Sequence, residues 1–345
     1  MIDKLKKPIQ LMIKFFSLLI KSILSSRSLR TTLMCALFAW TLWLTIISPN
    51  KAISNVIANW EIAVTMIFGS MVAGGTSMGG GAVAFPVLTK WLQIPAHEAK
   101  VFSLAIQSIG MGAASLTIIA MKTRVEWRFI NWATLGGIAG IILGTIYLEP
   151  ILSPQLIKMS FTMMISSFAV VALIFNRIPR KANSIIPFWG KKEKIISLGE
   201  GIIGGIISSL VGSGMDIFSF SVMVLLFNLS ETISTPTSVI LMAINAITGF
   251  LFHLYFIQDF VQPVINYWFA AVPVVVVGAP AGALLCSLLK RETIIKVVIG
   301  LILIELVSSV ILIPLTFKLL SFSTFIFIVF SSVYYWMYQN QSYLK

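Results

Sequence analysis

Two apolar stretches of this chain are broken by glycine, at Gly79-Gly80-Gly81 and at Gly212-Ser213-Gly214, and the breaks lie 133 residues apart. Backbone left unwound inside a bilayer costs several kcal/mol per bare amide, so it survives only where protein or a water-filled cavity surrounds it. Breaks at corresponding places in two halves of a chain mark the substrate site of secondary transporters. The composition supplies the membrane that this argument needs. Of 345 residues, 58% are hydrophobic and 11% are charged, against about 25% charged in soluble domains. The expected fold class is an all-α polytopic membrane protein.

Apolar spans are expected near 31–48, 101–121, 129–148, 156–175, 233–256, 264–289, 294–315 and 319–338, each close to the ~20 residues that cross a bilayer. Two longer segments, 58–92 and 196–227, carry the glycine breaks. The formal charge of +13 is not spread over a basic face with interleaved aromatics, which excludes a nucleic-acid binder. It gathers before the first span (Lys4, Lys6, Lys7, Lys14, Lys21, Arg27, Arg30) and in three loops. These hold Lys122, Arg124 and Arg128; Arg177, Arg180, Lys181, Lys191, Lys192 and Lys194; and Lys290, Arg291 and Lys296. Such clustering is the positive-inside pattern, with some attraction to anionic lipid. Residues 5–24 place Lys7, Lys14 and Lys21 on one face, as in a helix lying in the membrane interface.

Applied to the longer segments, the charge rule makes 58–92 start and finish outside and 196–227 start and finish inside. Both then read as re-entrant helical hairpins, turning at Thr76–Gly81 and Gly212–Asp216. The expected architecture is two inverted repeats, each a hairpin plus three transmembrane helices, with extra N- and C-terminal helices and both termini cytoplasmic. The divisions are a basic amphipathic segment 1–30, an extra span and outer loop 31–57, repeat 1 at 58–175, a basic loop 176–195, repeat 2 at 196–316 and a last helix 317–345. The repeat is visible directly. At an offset of 133, Gly79, Gly81, Phe85, Leu92, Glu98 and Ala113 meet Gly212, Gly214, Phe218, Leu225, Glu231 and Ala246. Farther on, Gly140, Gly144 and Lys158 meet Gly278, Gly282 and Lys296.

Inverted hairpins bring their tips together near the midplane, and that places the candidate substrate residues. Gly79, Gly80 and Gly81 free the backbone for a turn and a close approach. The amides of the helix that follows, aided by its dipole, suit an anion. Thr76 and Ser77 add hydroxyls, and Pro86 is expected to kink the return helix. At the second tip, Gly212, Ser213 and Gly214 precede Asp216, an ionisable group at membrane depth and therefore a functional candidate. Asp216 fits a coupling proton, a sodium ion or a cationic part of the substrate, and equally a helix cap. Ser103, Gln107, Thr235, Thr237 and Asn245 lie in spans directly after the hairpins and are candidates for the pathway. Glu305 is the other coupling candidate, with pairing to Lys296 or Arg291 as its structural alternative. His253 reads as interfacial, Glu98 and Glu231 as helix-start carboxylates, and the Gly140/Gly144 and Gly278/Gly282 pairs as close helix packing.

No nucleophile is paired with a base. Cys35 and Cys286 sit in separate apolar segments, and Gly79-Gly80-Gly81 lacks the Lys-Ser/Thr of a phosphate loop. The expectation is therefore not an enzyme, with no cofactor and no metal. The rivals to a permease for a small anion are a non-transporting membrane scaffold or assembly factor and a transporter of a cationic or zwitterionic solute held by Asp216. A homo-oligomer is left open.

The run Met78-Gly79-Gly80-Gly81, then Ala82-Val83-Ala84-Phe85-Pro86, then Ala99-Lys100-Val101-Phe102-Ser103, resembles the sulfite exporter TauE/SafE family. Its second copy runs from Gly212-Ser213-Gly214 to Thr232-Ile233-Ser234-Thr235-Pro236, and the likeness covers about residues 58–315. The resemblance implies an inner-membrane permease for sulfite, sulfonates or other small sulfur-containing or carboxylate anions. It also implies Gly79, Gly80, Gly81, Pro86, Ser103, Gly212 and Gly214 as pathway positions. The second copy departs from the family: Met215-Asp216 stands where a glycine and an apolar residue are usual, and Ser219 where proline is.

Overall fold

The computed structural model describes residues 26–80, 87–175 and 182–341. The interfacial helix at 5–24 and the roles of Gly81 and Pro86 lie outside the described residues. These residues form helices in the order α1 (Arg27–Ile47), α2 (Pro49–Ala58), α3 (Trp60–Gly75), a π-helical turn (Val87–Trp91), α4 (Ala96–Ala120), α5 (Trp127–Leu143) and α6 (Pro154–Phe175). There follow α7 (Lys191–Val211), α8 (Met215–Leu225), α9 (Glu231–Phe252), α10 (Val264–Leu288), α11 (Arg291–Leu312) and α12 (Phe317–Gln339). Nine of the described helices are long and apolar enough to cross a membrane, and none of the described segments forms a β-strand.

Two boundaries differ from the expected ones. Residues 49–58, expected as a loop, form α2, because Pro49 sits at the first helical position, where its fixed φ and missing N–H cost nothing. A bend of 84° then separates α2 from α3. Helix α7 begins at Lys191, five residues before the expected segment, because the Glu193 carboxylate accepts the Gly190 N–H at 2.7 Å and caps its start.

Glycine sets the tightest helix contacts. A Cβ on Gly136 or Gly140 of α5 would run into the backbone of Leu198 and Ile202 of α7, and one on Gly74 or Gly282 would run into the facing backbone of α10 or α3. Gly144 and Gly278 likewise lie against Ser209 and Ser70. Small residues that let backbones touch are what drives helix association where lipid is as apolar as the side chains. The contacts also cross over: α7, which leads to the second glycine break, packs on α5, and α3, which leads to the first, packs on α10.

The outer helices are tied to this centre by specific bonds. Pro273 has no N–H to offer Phe269, four residues earlier, and the indole N–H of Trp43 on α1 donates to that Phe269 carbonyl at 2.8 Å. Trp40 of α1 donates to the Pro273 carbonyl at 3.0 Å. Helix α12 covers α8 with Phe330 and the fully buried Tyr334, which meet Phe168, Phe218 and, through Phe168, Phe220 edge-on or tilted.

Candidate functional site

The two glycine breaks meet. The first begins where α3 stops: the Thr76 hydroxyl donates to the Val72 carbonyl at 2.8 Å and accepts the Met78 N–H at 3.2 Å, turning the chain. Gly79 then takes φ +66°, in the left-handed region that a side chain makes costly. The second begins where α7 stops on Gly212, at φ +76°, with its N–H on the Ser208 carbonyl at 2.8 Å. The Met215 N–H that opens α8 is taken by the Ser208 hydroxyl at 3.0 Å.

Helix α4 joins the two. The Gln107 amide donates to the Gly212 carbonyl at 2.6 Å and to the Ser103 carbonyl at 3.0 Å. A Cβ on Gly212 would touch Ser103 and the backbone of Lys100. A Cβ on Gly79 would stand 2.5 Å from Asp216 Oδ2, 2.5 Å from Ser213 Oγ and 3.2 Å from Gln107 Oε1. Gly80 lies beside Ala73 and the Gly69 carbonyl. Ser77, Ser103, Gln107, Ser213 and Asp216 are all at most 2% exposed. Ser77 Oγ, Ser103 Oγ, Gln107 Oε1, Ser213 Oγ and Asp216 Oδ2 have no hydrogen-bond partner among the described residues. Buried polar atoms are nearly always partnered, so five such atoms around two chain breaks make this the candidate site. Asp216 uses its other oxygen, Oδ1, to accept the Gly214 N–H at 3.2 Å.

Beside this cluster, Asn245 has its whole amide buried and unpartnered, against Gly137 and Met215. Thr237 lies apart: its hydroxyl accepts the Glu126 N–H at 3.0 Å and donates to the Ile233 carbonyl, a structural arrangement. Glu305 is also elsewhere. It pairs with Lys90 at 3.2 Å and accepts from Thr162 at 3.1 Å and Ser309 at 3.0 Å, while the Arg291 side chain lies outside the described residues. Sequence reasoning passed over Glu200, whose fully buried Oε1 accepts the Ser219 hydroxyl at 2.5 Å while Oε2 has no partner. A single carboxylate inside the apolar run of α7 was its only signal, and it explains why a serine serves at 219.

A cavity of about 520 Å³ reaches toward the first break. Gly74, Ile118, Thr235, Pro236 and Cys286 line it, together with Arg124, Asn183 and Thr232. The loops that the charge pattern puts on one side thus surround one opening. The loops assigned to the other side meet elsewhere. His97 bridges Glu149 and Asp259, with 2.9 Å from each ring nitrogen to a carboxylate oxygen, and His253 holds Asp259 at 2.9 Å. His253 is fully buried within this cluster. Burial by itself pushes the Asp259 carboxyl up, but hydrogen bonds from His253 and His97 outweigh it and hold it well below the usual range. Glu149 is likewise lowered: burial opposes the shift, and His97 and the adjacent Lys100 ammonium overcome it.

Among the described residues no three His, Cys, Asp or Glu side chains are grouped to hold a metal. No curated protein and no solved structure matches this chain. The sequence model described as Sulfite exporter TauE/SafE matches residues 62–311, which contain both glycine breaks, α4 and the cavity. The chain therefore belongs to the TauE/SafE family of membrane anion exporters and permeases.

Proposed function

We propose that this protein is a secondary transporter that moves a small sulfur-containing or carboxylate anion across the cytoplasmic membrane by alternating access. The reading rests on one observation above the others: two unwound tips and α4 present buried, unpartnered hydroxyls and amides to a common centre. The hydroxyls of Ser77, Ser103 and Thr235 and the backbone around Gly79, Gly80, Gly212 and Gly214 form the substrate path. The cavity that Arg124 helps to line is its cytoplasmic mouth, and the His97–Glu149–Asp259–His253 cluster closes the outer side. The crossed packing of α3 on α10 and of α5 on α7 supports two inverted repeats rocking about these tips, with both termini inside. Asp216 carries the coupling ion, and no chemical step is required of any residue.

The test is flux of sulfite, sulfoacetate and short carboxylates in proteoliposomes, comparing the natural protein with Gly79→Ala. The methyl group lands on Asp216 and Ser213 and forces alanine to positive φ. Flux should fall by more than tenfold, the change expected once about 1.4 kcal/mol of strain or lost contact enters the transport cycle. Unchanged flux through a correctly folded variant removes the tips from the path.

A further inference from the structure

The oxygens on the bare face of Gly79 are not arranged as an anion site. Two of them, Gln107 Oε1 and Asp216 Oδ2, are acceptors. The Gln107 amide nitrogen is already committed to the Ser103 and Gly212 carbonyls, so its oxygen is fixed toward Gly79. The third, Ser213 Oγ, offers lone pairs and one proton. All three lie within 3.2 Å of the point where a side chain at 79 would begin. Yet Ser213 donates to neither of the others, and none of the three has a partner among the described residues. Oxygens that converge without pairing are arranged as ligands of one ion, close enough to be bridged by contacts of about 2.3–2.6 Å.

We infer that Asp216 Oδ2, Ser213 Oγ and Gln107 Oε1 form a binding site for one sodium ion against Gly79. A proton on Asp216 would join the three oxygens in a chain, Asp216 donating to Ser213 and Ser213 to Gln107, whereas they stand unpaired, as they would around a metal cation. A divalent ion prefers six or more oxygens with several carboxylates, and this site has a single carboxylate, which one sodium charge balances. Glycine at 79 is then required because any side chain would occupy the ion's approach. The inference deepens the transporter reading by naming the coupling ion, and it makes the two tips one unit: the ion links the first break to the second.

The measurement is the melting temperature of the purified full-length protein in detergent at fixed pH, chloride and ionic strength, in sodium, potassium or choline salts. A ligand that binds only the folded form raises that temperature. Sodium should raise it saturably over potassium and choline, Asp216→Asn should abolish the response, and Ser213→Ala should weaken the apparent affinity roughly tenfold. Asparagine keeps the size of the side chain and an acceptor for the Gly214 N–H, and a single symmetric gel-filtration peak confirms folding of each variant. Equal melting in the three salts overturns the inference. So does a melting temperature that falls with rising pH in the natural protein, not in Asp216→Asn, and without a sodium response, because that is a proton site. No anion is present in the assay other than constant chloride. Equal melting in the three salts together with intact anion flux would therefore sink the sodium site and leave the permease standing, while a sodium response without anion flux would do the reverse.

Discussion

Glu305 separates a structural ion pair from a proton carrier, and the structure fixes the size of the difference. Its carboxylate and the Lys90 ammonium are 3.2 Å apart with side chains only 6% and 4% exposed. At that separation and an effective dielectric near 20, the attraction is about 5 kcal/mol, in line with the roughly 3–5 kcal/mol lost when one half of a buried pair is removed. Glu305→Gln keeps the shape and the hydroxyl contacts but strands the Lys90 charge. Its remaining partners are the Ser308 and Ser309 hydroxyls, at 3.1 and 2.8 Å, and Lys158 adds a like charge nearby. The single variant should lose about 3–5 kcal/mol, much of a typical 5–15 kcal/mol total. The double variant Lys90→Met, Glu305→Leu should recover most of that loss, because replacing both partners by apolar groups is often neutral or stabilising. Reversible unfolding in mixed detergent compares the natural protein with the single and the double variant, and sulfite flux is read on the same preparations. If Glu305→Gln unfolds like the natural protein but no longer transports, the ion-pair argument is wrong and the carboxylate works in the cycle.

Gly74→Ala should depress the yield of folded protein and its melting temperature, since the added carbon falls on the Ala279 carbonyl; Gly112→Ala, with nothing within 4 Å, is the neutral control. Because folding lowers the Asp259 carboxyl, its contribution to stability is complete above the ordinary carboxylate range near 4 and is lost as the pH falls below it. Melting curves from pH 7 to 3 should show this fall, and Asp259→Asn should flatten it. Cys286 lines the cavity, so a small anionic thiol reagent should label it from the basic side of oriented vesicles only, and sulfite should slow the reaction. Labelling from the opposite face would reverse the proposed sidedness.

The helices were legible because runs of about twenty apolar residues have few alternatives in a bilayer, and the glycine pairs because backbone contact leaves no room for other residues. Gly140, Gly144, Gly278 and Gly282 all proved to be contact points with facing helices. What the sequence hid are relations across long separations. Lys90 and Glu305 are 215 positions apart, and no local pattern says that a lysine after the first break would be buried beside α11. Glu200 was hidden for a related reason: its partner, Ser219, lies across the second break, and a lone carboxylate near a basic loop looks like a solvated helix end. Helix α2 was missed because Pro49 and Ser48 signal a turn as readily as a helix start. The proposed repeat draws on residue order in the sequence and is supported by the exchanged contacts of α3 with α10 and α5 with α7.

Asp216 is the residue that an anion permease ought not to have, and its position accounts for it. An anion held about 6 Å from a bare carboxylate is repelled by about 3 kcal/mol at an effective dielectric near 20, roughly a hundredfold in affinity. A cation taken up by Asp216, Ser213 and Gln107 removes that repulsion, and by linkage the anion strengthens the cation's binding by the same factor. Replacing Asp216 by asparagine should then do two opposite things: abolish the dependence of transport on the cation gradient, and leave anion exchange at equal concentrations running. A variant that loses both equally would mean that Asp216 holds the second tip in shape, and that the charge logic has no part in transport.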